Sequence, residues 1–158
     1  MIQRTQSLYL AGAVILLLIV TLGTTIFNFQ GEAENMYLLN ASGVKLIQSE
    51  NLTTPVRELP FYIGGLILIL MCFITLIMYK NLKRQLSVAR LTAFVYFMVL
   101  VALGFAAFLG TYFTKEEKVS VSLGIGFYMI VLGFPLVLLA IRGIKKDKAL
   151  IDSVNRLR

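Results

Sequence analysis

Four apolar stretches of this chain carry no charged residue: Leu8–Asn28, Leu59–Tyr79, Leu91–Tyr112 and Val119–Ile141. All fifteen Lys and Arg and all eight Asp and Glu residues lie outside them. A helix that crosses a bilayer needs roughly 20 apolar residues at ~1.5 Å rise each to cover a hydrocarbon core of ~30 Å. Each stretch meets that length. The pattern therefore predicts an all-α protein, a bundle of four transmembrane helices in a single domain. Its spans are 8–28, 59–79, 91–112 and 119–141, its outer loop 29–58 and its tail 142–158. With 58% apolar residues and a mean hydropathy of +0.84, little of the 158-residue chain is left for a soluble catalytic unit. The apolar run after Arg4 is too long for a signal-peptide core and is read as an uncleaved first span.

A formal charge of +7 would suggest nucleic acid in a soluble protein, but its placement points elsewhere. Lys80, Lys83, Arg84 and Arg90 lie between the second and third spans, and Arg142, Lys145, Lys146, Lys148, Arg156 and Arg158 come after the fourth. Together with Arg4 they put most of the basic residues on one side. Lys45, Arg57, Lys115 and Lys118 fall on the other. Basic residues in short loops stay cytoplasmic, so both termini are expected inside. The excess charge would then meet anionic lipid headgroups at about 1 kcal/mol per residue. Arg4, Lys83, Arg84, Lys145, Lys146, Arg156 and Arg158 form the expected lipid or partner surface. Nucleic acid is not an expected partner.

The loops carry weaker patterns. Met36–Leu39 and Val44–Ile47 are short apolar runs separated by Asn40-Ala41-Ser42-Gly43, which predicts a small extracytoplasmic β-hairpin. The basic connection after the second span reads as helix end, turn and helix start, with Ser87 as the N-cap. Leu150, Ile151, Val154 and Leu157 recur at helical spacing opposite Lys146, Lys148, Asp152 and Arg156. That predicts a separate amphipathic C-terminal helix lying on the membrane or on a partner.

Chemistry-bearing residues are sparse. Histidine is absent, every carboxylate lies in a loop or the tail, and the single Cys72 is mid-span. No catalytic, metal or cofactor residue is assigned, and an enzyme is not expected. Thr21, Thr25 and Asn28 are spaced to share one face of the first span, and Tyr62 stands at a similar depth. With Tyr128, deeper in the fourth span, they outline a polar vestibule open to the outside, or a set of hydroxyls bonded back to the helix with Tyr rings at the interface. Tyr128, placed near the midplane of the fourth span, needs an internal partner for its hydroxyl. Ala102, Ala106 and Gly110 repeat every four residues, and Gly126 and Gly133 are seven apart. Small residues so spaced admit a neighbouring backbone, either within the bundle or in a second copy or membrane-protein partner. Pro135 should kink the fourth span.

The two ends also carry a resemblance. Met1-Ile2-Gln3-Arg4-Thr5-Gln6-Ser7-Leu8-Tyr9-Leu10 at the start, and the closing run from Arg142-Gly-Ile-Lys145-Lys146-Asp147 to Asn155-Arg156-Leu157-Arg158, resemble a Bacteroidetes family of four-helix inner-membrane proteins of unknown function. The resemblance implies a location and a fold without an activity. It also directs attention to Gln3, Arg4, Gln6, Asp147, Arg156 and Arg158 as a cytoplasmic surface, with Arg4 as the partner of Asp147. The expected function is a non-enzymatic accessory or structural subunit of a larger inner-membrane complex. The alternative is a carrier or binder of a small uncharged or lipidic molecule through the vestibule.

Overall fold

The computed structural model describes residues 3–31, 36–47, 53–58, 60–110, 112 and 119–156. The elements run α1 (Gln3–Thr21), β1 (Phe27–Gln30), β2 (Met36–Asn40), β3 (Gly43–Ile47), β4 (Thr53–Glu58), α2 (Phe61–Ile77), α3 (Leu82–Phe108), β5 (Ser120–Leu123) and α4 (Ile125–Arg156). A 3-10 turn, Met78–Lys80, extends α2, and Asn81 starts α3 by accepting the Arg84 N–H on its side chain. Ser87 lies inside α3, its hydroxyl donating to the Lys83 carbonyl at 3.2 Å, so the cap falls six residues before the position the sequence suggested.

Among the described residues, three helices are long and apolar enough to cross a membrane: Phe61–Lys80, Leu82–Phe108 and Ile125–Ser153. The first helix is apolar over Thr5–Thr21 and shorter than these. Each helix packs on two neighbours, in the ring α1–α2–α3–α4. On α1 the buried residues Leu10, Ala13, Leu17 and Val20 recur at three- and four-residue intervals, one stripe of a 3.6-residue helix. The same stripe on α4 reads Val137, Ala140, Ile144 and Asp147. The outward faces are apolar as well, with Ile15, Leu70, Phe94, Phe105 and Leu132 all exposed.

The first and fourth expected spans are cut short at the same end. Helix α1 stops at Thr21, not Asn28, because Gly23 takes φ +116°, a backbone turn that ends a helix at little cost to glycine. The Thr21 and Thr24 hydroxyls then donate to the last-turn carbonyls of Leu18 and Ile19, at 2.9 and 2.8 Å. The chain continues into β1, whose Phe27 and Phe29 are buried while Gln30 is exposed. Residues 120–123, expected to open the fourth span, form β5 instead.

The expected hairpin is present as the middle of something larger. Strands β2 and β3 pair antiparallel from Met36↔Ile47 to Asn40↔Gly43, and Gly43 takes φ +135° at the turn. Strands β1, β4 and β5 extend them into a five-stranded antiparallel sheet of order β4-β3-β2-β1-β5. One face sends Phe27, Phe29, Tyr37, Leu39 and Val44 into the same core as the helices. The sheet is a cap fused to one end of the bundle.

The expected surface helix at the C-terminus is likewise absorbed. It continues α4 without a break, through Pro135, for 32 residues or about 48 Å. Leu150 and Ile151 are exposed, whereas Asp147 is buried. The buried stripe of α4 runs on past the apolar stretch as far as Asp147; residues 149–153 are all exposed, and the side chains of Val154 and Leu157 lie outside the described residues.

Candidate functional site

Beneath the sheet lies a cavity of about 400 Å³. Leu17, Val20 and Thr21 of α1 form one wall, and Phe61, Gly64, Gly65 and Leu68 of α2 form a second. Val99, Ala102 and Leu103 of α3 close a third, Ile130 of α4 supplies the floor, and Ala41, Ile26 and Pro60 form the roof under the β2–β3 turn. Ile63 and Ala102 are both lining and exposed, which puts the opening between α2 and α3.

The cavity exists because small residues stand where bulk would fill it. A Cβ added at Gly64 would meet only Val99 Cγ2, at 4.0 Å. A Cβ at Gly65 would collide with the Thr21 methyl, so this glycine sets how closely α1 and α2 approach. Among the described lining residues Thr21 is the one hydroxyl side chain, and its Oγ1 already donates to the Leu18 carbonyl. Its methyl group is what faces α2. The interior is therefore apolar, and its size lies within the range of ~300–1,000 Å³ typical of small-molecule sites.

Of the five vestibule residues only Thr21 lines this cavity. Thr25 lies beyond the helix end, and its carbonyl accepts the Gly126 N–H at 2.8 Å. Asn28 sits within β1, paired with Leu38 on one side and Ser122 on the other. Tyr62 is 44% exposed at the start of α2, its N–H bonded to the Ala41 carbonyl at the hairpin turn. Tyr128 is in the first turn of α4, not at mid-depth, because β5 displaces the helix start; it is 54% exposed and edge-on to Phe127. The spacing that aligned Thr21, Thr25 and Asn28 applies only to a continuous helix, and the helix ends at Thr21.

The tyrosine that needs an internal partner is Tyr96, which the spacing of polar residues does not single out. It is fully buried on α3 and donates to the Ile130 carbonyl of α4 at 3.0 Å. Gly133 makes room for it, since a Cβ there would collide with the Tyr96 hydroxyl. The ring also packs on Phe134, centroids 5.8 Å apart. Its position inside a charge-free stretch was the available signal, the same signal applied to Tyr128.

The other small residues meet several neighbours within the chain. A Cβ at Gly110 would lie 2.8 Å from the Phe29 ring, so this end of α3 packs on the sheet. Gly126 faces the Thr25 carbonyl, Ala106 is buried, and Ala102 lines the cavity.

At the opposite end, Lys83, Arg84, Lys145 and Lys146 are exposed. The side chains of Arg4 and Arg156, and all of Arg158, lie outside the described residues. Gln6 and Asp147, expected on the surface, are only 2% and 6% exposed, and the Gln6 carboxamide donates to the Asp147 carboxylate. A Cβ at Gly143 would lie 2.7 Å from Gln6 Cγ, so that glycine lets the side chain against α4.

These features define a helical protein with three helices of membrane-crossing length and composition, capped by a sheet over an apolar cavity. The family described as Domain of unknown function (DUF4293) matches residues 2–157, and the chain belongs to that family. No match was found among curated proteins.

Proposed function

We propose that this chain is a non-enzymatic inner-membrane protein that holds a lipidic molecule in the cavity beneath its sheet. Helix α1, 19 residues and about 28 Å long, serves as the fourth span. Most of the basic residues lie toward the end away from the sheet, with Lys45 and Arg57 in the sheet itself, and that excess puts the basic end and both termini in the cytoplasm and the sheet outside. The cavity carries the functional reading. It is apolar, large enough for a branch of a lipid, and open sideways between α2 and α3 at a depth where acyl chains are the solvent.

A second reading, an accessory subunit of a larger assembly, draws on β5. It ends the sheet, and Ser120 through Leu123 are all exposed, which leaves a strand edge that a partner could extend. Native mass spectrometry after purification from its own membrane in mild detergent separates the two. A stoichiometric lipid retained by the wild-type chain and lost in Ala102→Phe, with the melting temperature preserved, supports lipid binding. A bound protein subunit with no retained lipid favours the accessory role and sinks the first reading.

A further inference from the structure

The cavity beneath the sheet is confined to one half of the bundle. Its deepest lining residues are Leu68, seven residues below Phe61 at the head of α2, and Val99, nine residues before Phe108 at the end of α3. At ~1.5 Å of rise per residue these lie about 10 and 14 Å below the sheet ends of their helices. Leu17 of α1 and Ile130 of α4 lie nearer the sheet. Half of a ~30 Å hydrocarbon core is about 15 Å, so the cavity ends near the midplane and lies within a single leaflet.

The sheet covers the side that faces water. Ile26 and Ala41 of the roof are 2% and 3% exposed, and only Pro60, at the head of α2, is exposed among the roof residues. Backbone hydrogen bonds fasten the roof at two points, from the Ile26 N–H to the Leu39 carbonyl at 2.8 Å and from the Tyr62 N–H to the Ala41 carbonyl at 2.9 Å. The flank between α1 and α2 is closed as well, since Gly65 lies against the Thr21 methyl. Between α2 and α3 the packing is looser. A Cβ at Gly64 would find Val99 Cγ2 no nearer than 4.0 Å, and Ile63 and Ala102 are exposed along this seam.

Among the described residues, then, the way in is sideways, from the bilayer. A lipid of the sheet-side leaflet passes the seam with the methylenes of its chain. A lipid of the opposite leaflet brings only the end of its chain to the midplane. Resting on the lipid reading above, we propose that the site draws its occupant from one leaflet alone, the leaflet on the sheet side, and admits it through the seam between Gly64 and Ala102. With the sheet outside, this is the outer leaflet. The ligand is a membrane-resident lipid of that leaflet, not a water-borne amphiphile and not a lipid of the cytoplasmic leaflet. Gly64 is the gate residue, because its missing side chain leaves the seam open.

The test is photocrosslinking of the full chain in proteoliposomes sorted by which end of the protein faces outward. A phosphatidylglycerol with a mid-chain diazirine is loaded into the outer vesicle leaflet alone by cyclodextrin exchange. Adducts are read on Leu17, Leu68, Leu103 and Ile130, lining residues that are buried and so out of reach of lipid that merely surrounds the bundle. With the sheet outward, labelling of these residues should exceed that in the opposite orientation several-fold. Gly64→Leu, which puts bulk into the seam, should remove it, whereas Gly64→Ala, whose Cβ fits without a clash, should keep it. Equal labelling in the two orientations, or stronger labelling with the sheet inward, overturns the one-leaflet site and leaves the lipid reading standing. Labelling of these residues in neither orientation overturns both. Should Gly64→Leu fail to fold, the comparison of orientations in the wild-type chain decides.

Discussion

The two ends of this bundle solve the same packing problem in different ways. At the sheet end, apolar side chains from β1, β2 and β3 press into the helices, and the space left over is an apolar cavity. At the basic end, no strand caps the helices among the described residues. The helices are tied instead by amide and carboxylate groups, Gln6 to Asp147 and Gln85 to the Thr75 carbonyl, inside a rim of exposed lysines and arginines. The sheet end should therefore respond to changes of volume and the basic end to changes of hydrogen bonding and charge. Tyr96 and Gly133 lie between them and join α3 to α4 by both means.

The largest effect belongs to the sheet. Phe29 is fully buried and fills the space in front of Gly110, so Phe29→Ala should cost about 3–5 kcal/mol in chemical unfolding in detergent micelles. A loss under about 1 kcal/mol would mean that the sheet is not part of the core. Gln6→Leu probes the other end. It keeps the bulk but strips Asp147 of its donor, and should destabilise by about 1–3 kcal/mol. A neutral outcome there would put Asp147 in water and erase the contrast between the ends.

Gly133→Ala tests the middle. The added methyl displaces the Tyr96 hydroxyl and should cost about 1–3 kcal/mol. Tyr96→Phe alone should cost about 1 kcal/mol, and the double variant should lose less than the two singles combined, because the phenyl ring tolerates the methyl. Strict additivity in that cycle would separate the two residues. The smallest effect is Asn81→Ala, which removes the cap of α3 at the exposed basic end. About 0.5–1 kcal/mol is expected from the same unfolding curves, and more than about 2 would show that this turn does more than cap a helix.

The contrast also explains which parts of the structure were legible in the sequence. The charge-free stretches marked the helices, and Asn40–Gly43 marked the hairpin turn, since both rest on local chemistry. Strand β5 and the first half of β1 were hidden inside those same stretches. A run such as Phe27–Gln30 is as free of charge as the Leu8–Thr21 part of the helix before it, and hydropathy over a long window cannot tell them apart. The clue was Gly23 with Thr24, Thr25 and Ile26 behind it, a helix stop followed by β-branched residues. The polar stripe Thr21, Thr25, Asn28 dissolved once the helix ended. The cavity arises instead from Gly64 and Gly65 under a roof supplied by a distant turn. The Gln6–Asp147 contact joins residues 141 positions apart and leaves no local pattern to read.

The most direct test of the cavity is photocrosslinking with a phospholipid that carries a diazirine along one acyl chain, followed by peptide mapping. If the cavity holds an acyl chain, adducts will concentrate on Phe61–Leu68 and Val99–Leu103 and disappear in Ala102→Phe. Adducts spread evenly over the outward faces of the helices, and unchanged by that substitution, would mean that lipid only surrounds the protein and that the cavity is not its site.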